Sequence, residues 1–426
     1  MIEQRAWPLS RRAGLALVAV LLLLAGLAAP FTGVVPADAA PASVLGTAGA
    51  GNDTLVSQLR ADLAAYLRAR GTAEHISAVG VSVNLPGRAA TIDVSAGTTT
   101  FGGFTPVSTH ALWQIGSNTK AFTSVLLLKL EAAHCLSIDD TLGRWLPQYP
   151  QWRNVSIRRL LNMTSGIATY DEQPAFQAAY VAHPRAYFSP ERLVGYAVGA
   201  PATSGYSYSN TNYVLAEMII ERVTGRSYRH QLDGRLIERL DLDNLYYRPH
   251  LYPRRLTERE PAGYFMNRKD SGLSSLIGRN VSRDSLSWAR GAGGIISTTG
   301  DMTRWERALY SGLLLPPKQQ RELESLVSSR TGKPIARTSL SDPQGFGLGV
   351  AQLTAAGFGT FWFYEGETLG FRTLHAYFPA SGLIIAIGLN SATTDDQIQL
   401  VAESVLATLQ SHGVLDKRPA PAHAGA

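Results

Sequence analysis

Gly116-Ser117-Asn118-Thr119-Lys120 stands between a short strand-like segment, Ala111 to Ile115, and the apolar run Ala121 to Leu130. Phe122, Val125, Leu126, Leu127, Leu128 and Leu130 put apolar side chains on nearly every face of a helix. The run therefore reads as a helix held by burial rather than by an amphipathic surface, with Ser117 at its first turn. A Ser and a Lys three positions apart lie on one side of a helix, one turn apart, so their side chains can meet. A serine hydroxyl is a weak nucleophile until a neighbouring base takes its proton, and lysine becomes that base when desolvation or nearby positive charge lowers its pKa. The helix N-terminus puts partial positive charge beside Lys120 and favours the negative charge that builds up when Ser117 attacks a carbonyl. The alternative is a Ser117 that caps a core helix and a Lys120 that is merely solvated.

Outward from this stretch, Thr54 to Arg70 carries Leu55, Leu59, Leu63 and Leu67 at period four and reads as a helix. Ser77 to Leu85 and Ala89 to Ala96 are rich in β-branched residues and parted by Pro86-Gly87-Arg88, the pattern of a hairpin, and a third strand leads into the Ser117 helix. Strand-like segments return at Thr360 to Tyr364, Phe371 to Phe378 and Leu383 to Leu389, followed by a helix from Asp395 to about Gln410. Between them lie helices: Ser189 to Val198, with Pro190 at a first helical position; Thr211 to Thr224, ended by Gly225; and Ser227 to Leu240. The fold class is α+β. One antiparallel sheet, flanked by helices, is built from both chain ends, and a mainly helical lobe, about residues 137–290, is inserted between its halves, with the Ser117 helix near the seam where clefts form. The charged, loop-like stretch Leu251 to Ser287 is expected to cover or border that cleft.

With 426 residues, 45% of them hydrophobic and 17% charged, the chain can bury a large core. Its formal net charge is +6, of which residues 1–39 hold +1 (Arg5, Arg11 and Arg12 against Glu3 and Asp38) and the remainder +5. No Lys/Arg block is interleaved with aromatics, which speaks against nucleic-acid binding, although a mildly basic surface would help approach to an anionic cell envelope. The single Cys135 excludes an internal disulfide, no Cys/His cluster has zinc-site spacing, and neither a metal nor another cofactor is expected. Residues 1–39 have the form of an export signal: three arginines precede the apolar run Gly14 to Ala29, and Ala37-Asp38-Ala39 offers a small-residue cleavage site. A retained membrane anchor is the competing reading, although the run is short of the roughly 20 residues of a spanning helix. Residues 40–53 read as a flexible leader, 54–412 as one domain and 413–426 as a disordered tail. The expected location is outside the cytoplasm, in the periplasm, the envelope or beyond.

Lys120 is the only Lys with a Ser three positions earlier, and Asn210 the only Asn with a Tyr two positions earlier. Tyr208-Ser209-Asn210 precedes a helix, where a Tyr can relay a proton and an Asn amide can orient a substrate carbonyl. A packed loop aromatic among Tyr206, Tyr208 and Tyr213 is the alternative. Further stretches are Leu160-Leu161-Asn162-Met163-Thr164-Ser165-Gly166, the run from Ala292 to Thr298 followed by Asp301-Met302, and Gly345-Phe346-Gly347-Leu348-Gly349. Together these motifs resemble the penicillin-recognising serine enzymes, that is D-Ala-D-Ala carboxypeptidases, class C β-lactamases and their esterase relatives, over roughly Val79 to Leu409. Met163 stands where that family has a His. The resemblance implies a β-lactamase/transpeptidase-like fold, Ser117 as the nucleophile of an acyl-enzyme and Lys120 as its base partner. It further implies that Tyr208 moves the proton to the leaving group and activates the deacylating water, that Asn210 binds the substrate amide, and that the backbone N–H groups of Ser117 and Glu367 form the oxyanion hole.

The chain departs from the family at the third motif, where members carry Lys or His, a small residue and Gly. Here Tyr364-Glu365-Gly366-Glu367 occupies the place. Tyr364 can donate a hydrogen bond but carries no positive charge at neutral pH, whereas peptidoglycan stems and β-lactams both present a carboxylate that the usual cation helps to bind. Strand alternation sets Tyr364 and Gly366 on one face and Glu365 and Glu367 on the other. Arg372 is a candidate substitute cation, the alternative being a surface ion pair with one of those glutamates. The reading that follows is an exported serine hydrolase most similar to a D-alanyl-D-alanine carboxypeptidase of peptidoglycan metabolism, its substrate a stem peptide or an acyl ester or amide. An esterase, amidase or β-lactamase of the same fold is the first alternative. A penicillin-binding-like envelope sensor without turnover is the alternative of another class.

Overall fold

The computed structural model describes residues 48–415 apart from Ala89 and Pro249, so the expected export signal and most of the expected tail lie outside the described residues. The strands of the main sheet are β1 (Ala78–Asn84), β2 (Ile92–Gly97), β3 (Leu326–Ser328), β4 (Pro334–Ile335), β5 (Gln344–Phe346), β6 (Ala351–Ala355), β7 (Gly359–Glu367), β8 (Arg372–Phe378) and β9 (Leu383–Leu389). They pair antiparallel in the order β2-β1-β9-β8-β7-β6-β5-β3-β4, so strands from both chain ends meet where β1 lies against β9. The longer helices are α1 (Ala48–Glu74), α2 (Thr119–Ala132), α3 (Pro174–Ala182), α4 (Pro190–Ala197), α5 (Asn210–Thr224), α6 (Thr299–Tyr310) and α7 (Ile398–Ser411).

Helices cover both faces of the sheet. β1 and β9 are buried along their whole lengths; β9 accordingly reads as a nearly continuous apolar run, whereas in β1 Val79, Val81 and Val83 alternate with small or polar residues that are buried as well. On one face lie α1, which buries Leu55, Leu59, Leu63 and Tyr66, and α7. On the other lie α6 and, beyond it, α2, whose Phe122 stacks on Trp305 of α6 at 3.7 Å between ring centroids. α2 is buried almost throughout, so packing and not amphipathy fixes it, as its composition requires.

Two glycines seat the approach to α2. Gly80 of β1 and Gly388 of β9 are paired in register, and a Cβ on either would come within 2.8 or 2.4 Å of the Trp113 ring. The missing side chains form a slot for Trp113, and that slot pins the segment three residues before Gly116 against the sheet.

The structure departs from expectation in four places. The segment before Ser117 is a strand only over Trp113–Gln114 and belongs to a separate three-stranded sheet with Ile295–Ser297 and Leu245–Tyr247. α1 begins at Ala48, inside the expected leader. The helix expected over Ser227 to Leu240 is a short helix, Tyr228–Leu232, continued by a π-turn, Asp233–Ile237, a wider winding that periodicity does not signal. Leu251 to Ser287 is a packed wall: it buries Leu256, Phe265, Leu273, Leu276 and Val281 and contains a strand, Tyr264–Met266, paired with Ser391–Thr393. It borders the turn after β7, where a Cβ on Gly263 would lie 2.8 Å from the Gly370 carbonyl.

Candidate active site

Gly116 has φ +51°, and a Cβ there would lie 2.6 Å from both the backbone N and O of Glu367. Gly366 is equally confined, since its Cβ would fall 2.0 Å from the Ile115 carbonyl and 2.6 Å from Asn118 Nδ2. Only glycine allows this conformation and this approach, which lays the end of β7 directly on the turn that carries Ser117. That turn, Gly116–Asn118, is a single 3-10 turn running into α2. Buried Asn118 ties it down, its Nδ2 donating to the Ile115 carbonyl at 2.9 Å and to Thr373 Oγ1 at 2.8 Å.

Four side chains converge around the half-buried Ser117. Lys120, fully buried on α2, donates from Nζ to Ser117 Oγ at 2.9 Å, to Asn210 Oδ1 at 2.7 Å and to the Ala292 carbonyl at 2.8 Å. Tyr208 donates from its hydroxyl to Ser117 Oγ at 2.6 Å. Asn210 opens α5, and its Nδ2 donates to Asp171 Oδ2 at 2.8 Å. Tyr364 lies behind Tyr208, its hydroxyl 3.5 Å from that of Tyr208 and its ring edge-on to Phe346.

Proton affinities divide the labour. Burial lowers the Lys120 pKa to about 7, with the charge of Asp171 acting against the fall, so Lys120 reaches the neutral form near physiological pH. Burial pushes the Tyr208 phenol up instead, so it stays protonated and acts as a donor. A base near neutrality and a hydroxyl that can pass a proton thus share one serine oxygen, an arrangement able to form and break an acyl-enzyme.

The family model for Beta-lactamase matches residues 63–409. The chain belongs to that family. Penicillin-binding protein 4* of Bacillus subtilis is 29% identical over 240 residues, 54% of this chain and 52% of that protein, so the chain spans about half the length of the curated relatives it matches. Among solved structures, the D-stereospecific amidohydrolase from Streptomyces sp. is 28% identical with a TM-score of 0.69 and covers 82% of this chain and 98% of its own. The D-amino acid amidase from Ochrobactrum anthropi SV3 bound to D-phenylalanine has a TM-score of 0.70 over 84% of this chain and 99% of its own; at 23% identity it is a likeness of fold. This β-lactamase-family chain has a large antiparallel sheet flanked by helices.

Of the residues singled out in the sequence, Ser117, Lys120, Tyr208, Asn210 and Tyr364 stand together, and Gly366 and Glu367 contribute backbone beside them. Arg372 does not join them. It is fully buried on the opposite face of the sheet, bonded to Glu74 at 2.7 Å, to the Ser391 carbonyl at 2.6 Å and to Asp396. It is therefore neither a cleft cation nor a surface partner of Glu365 or Glu367. The register explains the error: Arg372 lies opposite Glu367 and shares its face, whereas Tyr364 lies opposite His375, which meets Glu306 of α6 on the cleft side.

Asp171, Thr169 and the Ala292 carbonyl escaped sequence reasoning. The backbone acceptor has no side-chain signature, and Asp171, on the loop after Gly166, carries no spacing that ties it to Asn210, 39 residues on.

Proposed function

We propose that the protein is a serine amidohydrolase whose preferred amide or peptide substrates carry no carboxylate on the leaving side, with D-aminoacyl amides the first class to test. Neutral Lys120 takes the Ser117 proton as Oγ bonds to the acyl carbon. The C–N bond then breaks, and the proton passes through the Tyr208 hydroxyl to the departing nitrogen. Water adds to the acyl-enzyme, releasing a carboxylic acid and restoring Ser117. The developing oxyanion faces the backbone N–H groups of Ser117 and Glu367, whose segments the Gly116 and Gly366 contacts hold together.

Tyr364 carries the substrate reading. Burial holds its phenol well above the ordinary tyrosine range, so a neutral hydroxyl stands where a carboxylate-binding family member has a cation, and Arg372 is spent elsewhere. The likeness to the Streptomyces amidohydrolase supports the amide class and the D-configuration. The D-alanyl-D-alanine carboxypeptidase is the second reading, favoured by the likeness to penicillin-binding protein 4*. The Arg-led apolar N-terminus supports export in either case.

The test incubates the protein and Ser117→Ala with D-phenylalanine amide, L-phenylalanine amide, a peptide ending in D-Ala-D-Ala, and a penicillin, following products and intact mass. Ser117-dependent turnover of the D-amide above that of the D-Ala-D-Ala peptide is expected. The reverse order establishes the carboxypeptidase, and a rate unaffected by Ser117→Ala removes the acyl-enzyme.

A further inference from the structure

Asn210 is caught between two groups of opposite demand. Lys120 Nζ is a donor and needs an oxygen; Asp171, an acceptor, needs an N–H. Both demands are met only with Oδ1 toward Lys120, at 2.7 Å, and Nδ2 toward Asp171 Oδ2, at 2.8 Å. A line of hydrogen bonds thus runs from Tyr208 through Ser117, Lys120 and Asn210 to Asp171. One Nδ2 hydrogen is committed to Asp171, leaving the other for a substrate carbonyl.

The Asp171 end is fixed. The Asp171 carboxylate also accepts from Thr169 Oγ1, and that same oxygen accepts from the Asn210 backbone N–H at 3.1 Å. Tyr170 between them is fully buried, its N–H bonded to Thr211 Oγ1 at 2.9 Å and its hydroxyl to the Trp288 carbonyl. Gln173 and Gln177 donate to the carbonyls of Thr169 and Asp171 at 2.9 and 3.2 Å.

We propose that Asp171 is a positioning residue of the reaction: it holds the Asn210 amide in the one orientation that serves Lys120 and sets a negative charge one amide away from that lysine. The proposal rests on the reading that Lys120 is the base for Ser117. Other groups facing Lys120 do not compete for this role. Tyr208 and Tyr213, with ring centroids 4.8 and 5.4 Å from Nζ, and Tyr364 behind them are neutral phenols. Glu217 and Arg290, at the helical turn that carries Ala292, neutralise one another in a buried pair at 2.6 Å. Beside burial, which lowers the proton affinity of Lys120, the charge of Asp171 raises it.

The experiment measures the pH profile of kcat/KM for p-nitrophenyl acetate, corrected with Ser117→Ala. The ester is uncharged, so a change in profile does not come from charge attraction to the substrate. In the unmodified protein the rate is expected to rise through a limb near pH 7, where Lys120 would lose its proton. Asp171→Asn keeps an acceptor for Asn210 but removes the charge, and the limb is expected to move about one unit toward lower pH. Asp171→Glu, which restores the charge, brings the limb back toward its original place. An unmoved limb in Asp171→Asn, whatever happens to the plateau, overturns the proposal. Should Asp171→Asn fail to fold, Asp171→Ser removes the same charge and carries the same test. If the unmodified protein shows no Ser117-dependent hydrolysis of this ester or of the amides above, the acyl-enzyme reading fails first and takes this one with it; if that hydrolysis is present and only the limb is fixed, this one fails alone.

Discussion

Lys120 and Arg372 are both fully buried cations, and the sheet separates them. Arg372 is surrounded by compensation: Glu74, Asp396 and the Ser391 carbonyl hold its guanidinium, and its charge is permanent. Lys120 has two neutral acceptors, a serine, and an aspartate that reaches it through an amide. Burial without a direct counter-charge drives its pKa down to about 7. The lesson is that counter-charge, more than burial, decides whether a buried cation braces a fold or titrates. The acidic partners that make Arg372 a brace would make Lys120 useless as a base.

The largest expected effect breaks the comparison at the lysine. Lys120→Arg keeps a cation that does not deprotonate, and loss of the base is expected to lower kcat/KM by about 10³-fold. A residual rate within tenfold of the original would exclude Lys120 as the base. The same residue leaves a thermodynamic mark. Because its folded pKa lies below its unfolded one, the unfolded chain binds the extra proton between about pH 7 and the ordinary lysine value, and stability contributed by this group rises with pH across that window. Chemical denaturation at several pH values should show a rise in this window that Lys120→Met lacks, up to about 1.4 kcal/mol per pH unit.

At Arg372 the sign reverses. Arg372→Met strands Glu74 and Asp396, with an expected loss of about 3–5 kcal/mol at neutral pH. Asp396 is held below its ordinary range chiefly by Arg372, against burial, so the pair's stability is present above the unfolded carboxylate pKa and is lost as pH falls through the folded one. The deficit of the variant is therefore greatest at pH 7 and shrinks in acid. Denaturation at pH 7 and again below the ordinary carboxylate pKa of about 3.9, with kcat/KM of the folded fraction unchanged, checks both halves.

What the sequence disclosed follows the range of the interactions. Ser117, Lys120, Tyr208 and Asn210 were legible because each pair sits at a fixed short spacing, one of them helical, and the apolar run after Lys120 announced its own burial. The sheet built from both chain ends was legible because β1, β8 and β9 are rich in β-branched and apolar residues. Arg372 was misread because proximity along β7 and β8 does not say which face a residue takes until the register is known. Asp171 stayed hidden because its partnership with Asn210 is made by folding alone, and the short strands β3 to β6 stayed hidden because two- to five-residue strands carry too few alternations to stand out.

The smallest expected effect comes from placing a cation at position 364. Tyr364→Lys sets an ammonium on the face where Tyr364 lies, 3.5 Å from Tyr208 in the present hydroxyl geometry. Two consequences oppose each other. The new charge attracts a substrate carboxylate, but near Lys120 it also favours the neutral form of that base, moving the acid limb of the rate to lower pH. Because the second effect acts on every substrate and the first only on anionic ones, the ratio of kcat/KM for a D-Ala-D-Ala peptide to that for D-phenylalanine amide isolates the first. The ratio should rise about tenfold, the size of one modest charge-assisted contact of about 1.4 kcal/mol. A constant ratio, with the limb displaced, would mean that the leaving-side carboxylate never approaches position 364 and that substrate charge is selected elsewhere in the cleft.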